Sequence, residues 1–207
     1  MWLSLVVGVL TAYLLGNLNG AICVSSFMHE DVRSRGSGNA GLTNFIRNFG
    51  TGSALYVILV DGMKAVLACL VCGFLLKPFG YYLEGVMAGG AAVMLGHVYP
   101  ALLGFRGGKG ILSGLFIALV ADWRVAVLIL AIFAAVYFLS GYVSLGSVIA
   151  AIGFAAGFCV FHLDSPWVVA GGVFMAALTI FMHRSNIKRL LTGKETKTNL
   201  FKKEKSQ

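Results

Sequence analysis

The stretch from Gly96 to Gly110, Gly-His-Val-Tyr-Pro-Ala-Leu-Leu-Gly-Phe-Arg-Gly-Gly-Lys-Gly, sets His97, Arg106 and Lys109 among glycines in a chain that is otherwise nearly continuous hydrocarbon. Adjacent glycines let backbone N–H groups come close to an anion, and a lysine adds a point charge. The apolar run that follows starts a helix, whose N-terminus favours negative charge. Gly107, Gly108, Lys109 and Gly110 therefore read as a phosphate cradle. The pattern is not a nucleotide P-loop: the earlier glycine spacing is missing, no Ser or Thr follows the lysine, and no strand precedes it.

Two further polar segments carry compatible chemistry. In the first, Ser37, Gly38, Asn39, Thr43, Asn44 and Arg47 interleave short donors with glycine. Thr43, Asn44 and Arg47 fall about one turn apart, on one side of a helix entering the next apolar run. In the last, His183 and Asn186 lie one turn apart, with Glu195 beyond them. Arg47, Lys109 and Arg184 offer cations and Ser37, Asn39, Thr43, Asn44 and Asn186 neutral donors, a set suited to more than one phosphate. Ser147 is a further candidate, although serine in a membrane helix also bonds its own i−4 carbonyl. Cys69-x-x-Cys72 has no partner pair, so the four cysteines read as packing; no metal and no cofactor is expected. No His-x4-Asp pair occurs, so the familiar acyltransferase base is absent.

The elements that position these residues are membrane helices. Of 207 residues 58% are hydrophobic and 12% charged, half the charge of a soluble domain, which carries about 25%. Apolar runs extend from Trp2 to Ser26, Thr51 to Leu76, Tyr81 to Leu103, Ile111 to Ala121, Val125 to Leu139, Tyr142 to Phe161 and Trp167 to Met182. The fold class is all-α, a polytopic bundle of seven transmembrane helices. Ile111 to Ala121, roughly 16 Å long, is short for a core of about 30 Å, so it is re-entrant or the glycine loop dips below the surface. With the N-terminus outside, thirteen Lys and Arg fall inside and only Lys77 and Arg124 outside, as the positive-inside rule requires. Trp2, Trp123 and Trp167 then lie at outside ends, as interfacial anchors. Asp61 and Lys64, inside the second span, read as an ion pair that positions the helix, since an isolated charge there costs roughly 3 kcal/mol.

The motifs Gly36-Ser-Gly-Asn-Ala-Gly41-Leu-Thr-Asn44 with Arg47, Gly96-His-Val-Tyr-Pro100 leading to Phe105-Arg-Gly-Gly-Lys-Gly110, and His183-Arg-Ser-Asn-Ile-Lys-Arg-Leu190 with Gly193 and Glu195 resemble the bacterial acyl-phosphate:glycerol-3-phosphate acyltransferase family. The resemblance covers residues 10 to 196. It implies seven helices, and acyl transfer from acyl phosphate to the 1-position of glycerol 3-phosphate, giving lysophosphatidate and phosphate. It further implies that Ser37 and Arg47 belong to the catalytic first segment, that the loop with Lys109 binds glycerol 3-phosphate or the leaving phosphate, that His183 and Asn186 support activity, and that Glu195 holds the loops together. Tyr99, Arg106 and Ile111-Leu-Ser113 depart from the usual pattern conservatively; Asn17-Leu-Asn19 and Ala65 depart more, at helix entries.

An acyl phosphate is a mixed anhydride whose leaving group needs no strong acid, so orientation and charge are what remain to supply. Ser37 is expected to donate a hydrogen bond and not to become acylated, with a substrate phosphate oxygen or His183 taking the hydroxyl proton. The expectation is one membrane domain over 1–196 with a basic tail over 197–207, in the bacterial cytoplasmic membrane with the site on the cytoplasmic side. Its partners are the two substrates and membrane lipid, with no nucleic acid and no required protein partner. The other class, a transporter or channel for an anionic solute, requires binding groups near the midplane and repeated halves.

Overall fold

Apolar backbone in lipid satisfies its N–H and C=O groups within one segment only as helix. The computed structural model describes residues 1–197, and every regular element among them is helical. Of the expected tail, all but Lys197 lies outside the described residues. The helices are α1 (Trp2–Gly16), α2 (Gly20–Phe27), α3 (Leu42–Phe49), α4 (Ala54–Leu76), α5 (Tyr82–Val98), α6 (Ile111–Ala121), α7 (Trp123–Ser140), α8 (Val143–Phe161), α9 (Pro166–Met182) and α10 (Arg184–Leu191). Five stretches are long and apolar enough to cross a membrane: Trp2–Phe27, Ala54–Phe79, Tyr82–Leu103, Trp123–Ser140 and Val143–Phe161. The pair α9 and α10, bent by 57°, makes a sixth, and α6 is a shorter apolar helix.

The first apolar run is not one helix. It breaks at Asn17-Leu-Asn19, and buried charges from α4 close the gap. Lys64 Nζ donates to the Gly16 carbonyl at 3.3 Å and to that of Leu18, at the C-terminal end of α1. Asp61 Oδ1 accepts from the Gly20 amide at 3.0 Å, at the N-terminus of α2, and pairs with Lys64 at 2.8 Å. A cation at one helix end and an anion at the next match both helix dipoles and the groups each end leaves unpaired. Asn19 caps α2 by accepting from the Ile22 amide, and Asn17 Oδ1 accepts from the Leu102 amide. The ion pair thus joins two half-helices.

A second difference lies before α4. Thr43, Asn44 and Arg47 do share a helix, but α3 does not run into the second span: Gly50, at φ +76°, ends it, and α4 begins at Ala54.

The core centres on α5, which packs against α1, α4, α6 and α9. At one end of the bundle Asp122, ahead of α7, meets His162 after α8 at 2.9 Å, and Glu84 of α5 accepts from Ser165 at 2.9 Å. At the other end gather α3, α10 and the polar loops. The glycine loop is recessed there: the Gly107 and Gly108 amides donate to the Val98 and His97 carbonyls at 3.2 and 3.1 Å. The loop therefore descends beside the last turn of α5, and α6 starts at that depth, so its 11 residues still reach Asp122 at the far end.

Candidate active site

One cavity of about 400 Å³ opens at the loop-rich end. Its mouth is polar, formed by Ser37, Asn39, Thr43, Asn44, Arg47, Lys109, Ser144, His183, Asn186, Arg189 and Glu195. Its inner arm is apolar, formed by Met94, Leu115, Ile129, Leu130, Phe133, Ala150, Ala151, Phe154, Met175 and Ala176. Leu130 is 54% exposed, so the arm opens sideways toward lipid. Past Phe154 the bundle is tight: Gly171 packs on Met87 and Gly172 on Phe158, both buried.

The first segment is organised by Asn44. Its Oδ1 accepts from the Ser37 amide at 3.0 Å, and its Nδ2 donates to the carbonyls of Val32, Arg35 and Asn39. Asn44 therefore shapes the loop, and the side chains it leaves at the cavity are Ser37, Asn39, Thr43 and Arg47.

The glycine loop contributes Lys109. Its ammonium donates to Asn186 Oδ1 on α10, a contact within the polar mouth. Burial lowers its pKa from 10.5 to about 8, Glu195 opposes the shift, and Arg189 and Arg47 add to it. Because the Gly107 and Gly108 amides already donate to α5 carbonyls, those glycines supply close approach. The open amides are those of the first turn of α6, beside Lys109 and Gly110. Gly38 turns its loop at φ +70° and is not among the cavity residues.

The bend between α9 and α10 places His183, which is 3% exposed. Its Nδ1–H donates to the Thr179 carbonyl at 2.8 Å, leaving the Nε2 lone pair for the cavity. Asn186 and Arg189 follow on α10, one turn apart and on one side of it. Arg189 Nε donates to Glu195 Oε2 at 2.6 Å, while Ser144 and Asn186 donate to Oε1, each at 2.7 Å. Burial alone raises the Glu195 pKa, but these three hydrogen bonds and the Arg189 charge hold it below the usual range. Arg47 reaches the same segment at the Thr196 carbonyl, 3.5 Å away.

Two further placements differ from the sequence expectation. Arg184 turns away, its guanidinium 4.5 Å from the Phe181 ring, and Arg189 is the cation at the mouth. Ser147 lines the cavity but bonds the Val143 carbonyl at 2.9 Å, the local alternative. Ser144, one turn nearer the mouth, is the serine tied to Glu195. The signal for Arg189 was its spacing of one turn from Asn186. His97, 4% exposed, lines the cavity beside Asp61. Among the described residues no three of His, Cys, Asp and Glu gather as a metal site.

A family model described as Glycerol-3-phosphate acyltransferase matches residues 6–193. The Glycerol-3-phosphate acyltransferase of Thermoanaerobacter pseudethanolicus is 38% identical over 187 residues, covering 90% of this chain and 91% of the relative. That of Clostridioides difficile is 37% identical over 198 residues, covering 94% and 95%. The crystal structure of PlsY, an integral membrane glycerol 3-phosphate acyltransferase, in its glycerol 3-phosphate form superposes with a TM-score of 0.87 at 32% identity, covering 96% of this chain and all of that one. Its lysophosphatidic acid form superposes at 0.83 and 30% identity, covering 95% and 96%.

Proposed function

We propose, from the premise that this chain belongs to the glycerol-3-phosphate acyltransferase family, that it transfers a fatty acyl group from acyl phosphate to the sn-1 hydroxyl of glycerol 3-phosphate. The observation that carries the reading is the two-part cavity: a mouth with Arg47, Lys109 and Arg189 suits phosphates, and the apolar arm that opens toward lipid suits an acyl chain. The reactive carbonyl then sits where the two parts meet.

Arg47, Lys109, Ser37 and Thr43 hold the two phosphates. His183 Nε2 accepts a hydrogen bond from the attacking hydroxyl and orients it. A further positive charge on His183, in a mouth that already holds Lys109, Arg47 and Arg189, is disfavoured, so the hydroxyl proton passes to an oxygen of the departing phosphate. The hydroxyl oxygen bonds to the carbonyl carbon as the bond to phosphate breaks, giving lysophosphatidate and inorganic phosphate. Asn186 and Glu195 set the distance between Lys109 and Arg189.

The same reading takes residues 1–196 as one domain of seven spans, counting α6, with the mouth on the cytoplasmic side of a bacterial inner membrane. The positive charge at the mouth end supports that orientation. The tight packing beyond Phe154 disfavours a transport route.

Purified protein in detergent, given acyl phosphate and glycerol 3-phosphate, should release phosphate only when both are present. Release that ignores glycerol 3-phosphate overturns the reading. The arm makes a second, separable prediction. Ala176 lies seven residues from His183 on α9 and is 4% exposed, about 10 Å along the helix. Ala176→Phe fills the arm at that depth. Palmitoyl phosphate should lose at least about 10-fold in kcat/KM relative to octanoyl phosphate. Equal losses for the two donors would remove the acyl chain from this arm.

A further inference from the structure

His97 and His183 face the same cavity with opposite ring chemistry. His183 donates through Nδ1 and leaves an Nε2 lone pair, as described above. His97 Nδ1 lies 2.8 Å from Lys64 Nζ and 3.6 Å from Asp61 Oδ1. An ammonium has donors and no acceptor. Its three protons serve Asp61, Leu18 and His97, with the Gly16 carbonyl the most distant partner. The nearer contact therefore makes His97 Nδ1 an acceptor, and the ring proton sits on Nε2. This arrangement also keeps the buried cluster neutral, one carboxylate against one ammonium. A protonated ring would press a second cation against Lys64.

Among the described residues His97 Nε2 forms no hydrogen bond; its near neighbour is the backbone of Gly108, where an added Cβ would land on it. Its position along the bundle says what it faces. Thr179 and Met94 touch in the cavity wall, Oγ1 to Sδ at 3.8 Å, at the top of the apolar arm. His97 is one turn mouthward from Met94 on α5, and His183 one turn mouthward from Thr179 on α9. The two rings therefore flank the level at which the polar mouth gives way to the apolar arm.

We propose that His97 Nε2–H donates a hydrogen bond to the acyl carbonyl oxygen, whose negative charge grows as the hydroxyl of glycerol 3-phosphate adds. Asp61 and Lys64 are positioning residues that hold the ring in this tautomer. The proton stays on His97 throughout: the new bond joins hydroxyl oxygen to carbonyl carbon, the broken one releases phosphate, and the hydroxyl proton leaves with that phosphate. The assignment rests on the acyl-transfer reading and adds an oxyanion donor to it.

The test uses two amides that mimic different ring atoms. Asparagine at 97 puts an oxygen near Nδ1 and preserves the acceptor for Lys64 but has nothing at Nε2. Glutamine reaches the Nε2 position with an N–H. For an oxyanion donor, His97→Asn should lower kcat about 100-fold. KM for glycerol 3-phosphate should stay within about 3-fold and the melting temperature near that of the wild type, while His97→Gln should recover at least about 10-fold of the loss. A ring that serves only to pin Lys64 gives the reverse order, with Asn the better substitute, and overturns the proposal; so does His97→Asn at wild-type kcat. Nitrogen-15 histidine spectra of the wild type, with His97 assigned by its absence in a variant, give a readout independent of any variant's activity: the Nε2-protonated pattern is expected, and an Nδ1-protonated ring overturns the assignment. Wild-type protein that fails to couple phosphate release to glycerol 3-phosphate would instead bring down the reading beneath it.

Discussion

Lys109→Met lowers kcat/KM by about 1,000-fold, the upper range for a donor placed at developing charge, and leaves the protein at least as stable as before. From the glycine loop the lysine side chain crosses to α10, where it donates to Asn186. Methionine keeps the stem and removes the charge. The stability half of the result follows from the pKa. Burial lowers Lys109 from 10.5 to about 8, so the folded chain holds this proton less tightly than the unfolded chain does. Between those two values the unfolded state binds more protons, and folding stability rises with pH. Below about pH 8 the charged lysine is a burden on the fold without substrate, and removing it relieves that burden. A melting curve in detergent beside a phosphate-release assay checks both parts; loss of activity together with a lower melting temperature would mean the lysine is structural. The same pKa fixes the pH profile. Lys109 is charged at neutral pH and loses its proton as pH rises through about 8, so kcat/KM should fall about tenfold per pH unit above that value, with a slope absent from the methionine variant.

The apolar runs were legible because hydrocarbon length and composition are properties of the chain itself, and each run contains a helix. The family motifs were legible for the same reason: their residues are close in sequence. What the sequence hid were partners. Asn17 and Asn19 are visibly polar inside the first run, but the break they mark is stabilised by Lys64 and Asp61, more than forty positions away. The pair was readable as mutual satisfaction, and its second role as a splint between α1 and α2 was not. Arg184 and Arg189 are equal as cations in the sequence; the 57° bend at His183 decides that one faces lipid-side aromatic surface and the other the mouth. Ser144 and Ser147 differ by one helical turn, and only the position of Glu195 separates the tether from the self-bonded hydroxyl. Glycine in the loop was read as a source of free amides. In three dimensions the Gly107 and Gly108 amides are occupied, and what their missing side chains permit is contact.

That contact makes Gly108→Ala the other severe substitution, expected to lower kcat about 1,000-fold. A Cβ on Gly108 would land on His97 Nε2 and 2.8 Å from the Ala40 carbonyl oxygen. Neither neighbour can yield cheaply. The Ala40 oxygen is backbone held by Asn19 Nδ2 at 3.0 Å, and the imidazole is held through Nδ1 by Lys64. The loop must therefore rise out of its recess, giving up the 3.1 Å bond from the Gly108 amide to the His97 carbonyl. Lys109, the next residue, moves with it and away from Asn186. A displacement of about 1 Å at a reacting centre costs on the order of 100-fold, and disturbing the His97 ring adds to that loss. Gly52→Ala is the control, since a Cβ there meets nothing within 4 Å, and it should leave turnover unchanged. Measured side by side, a Gly108→Ala enzyme within about 3-fold of wild type would show that the loop moves freely on α5 and does not set the position of Lys109.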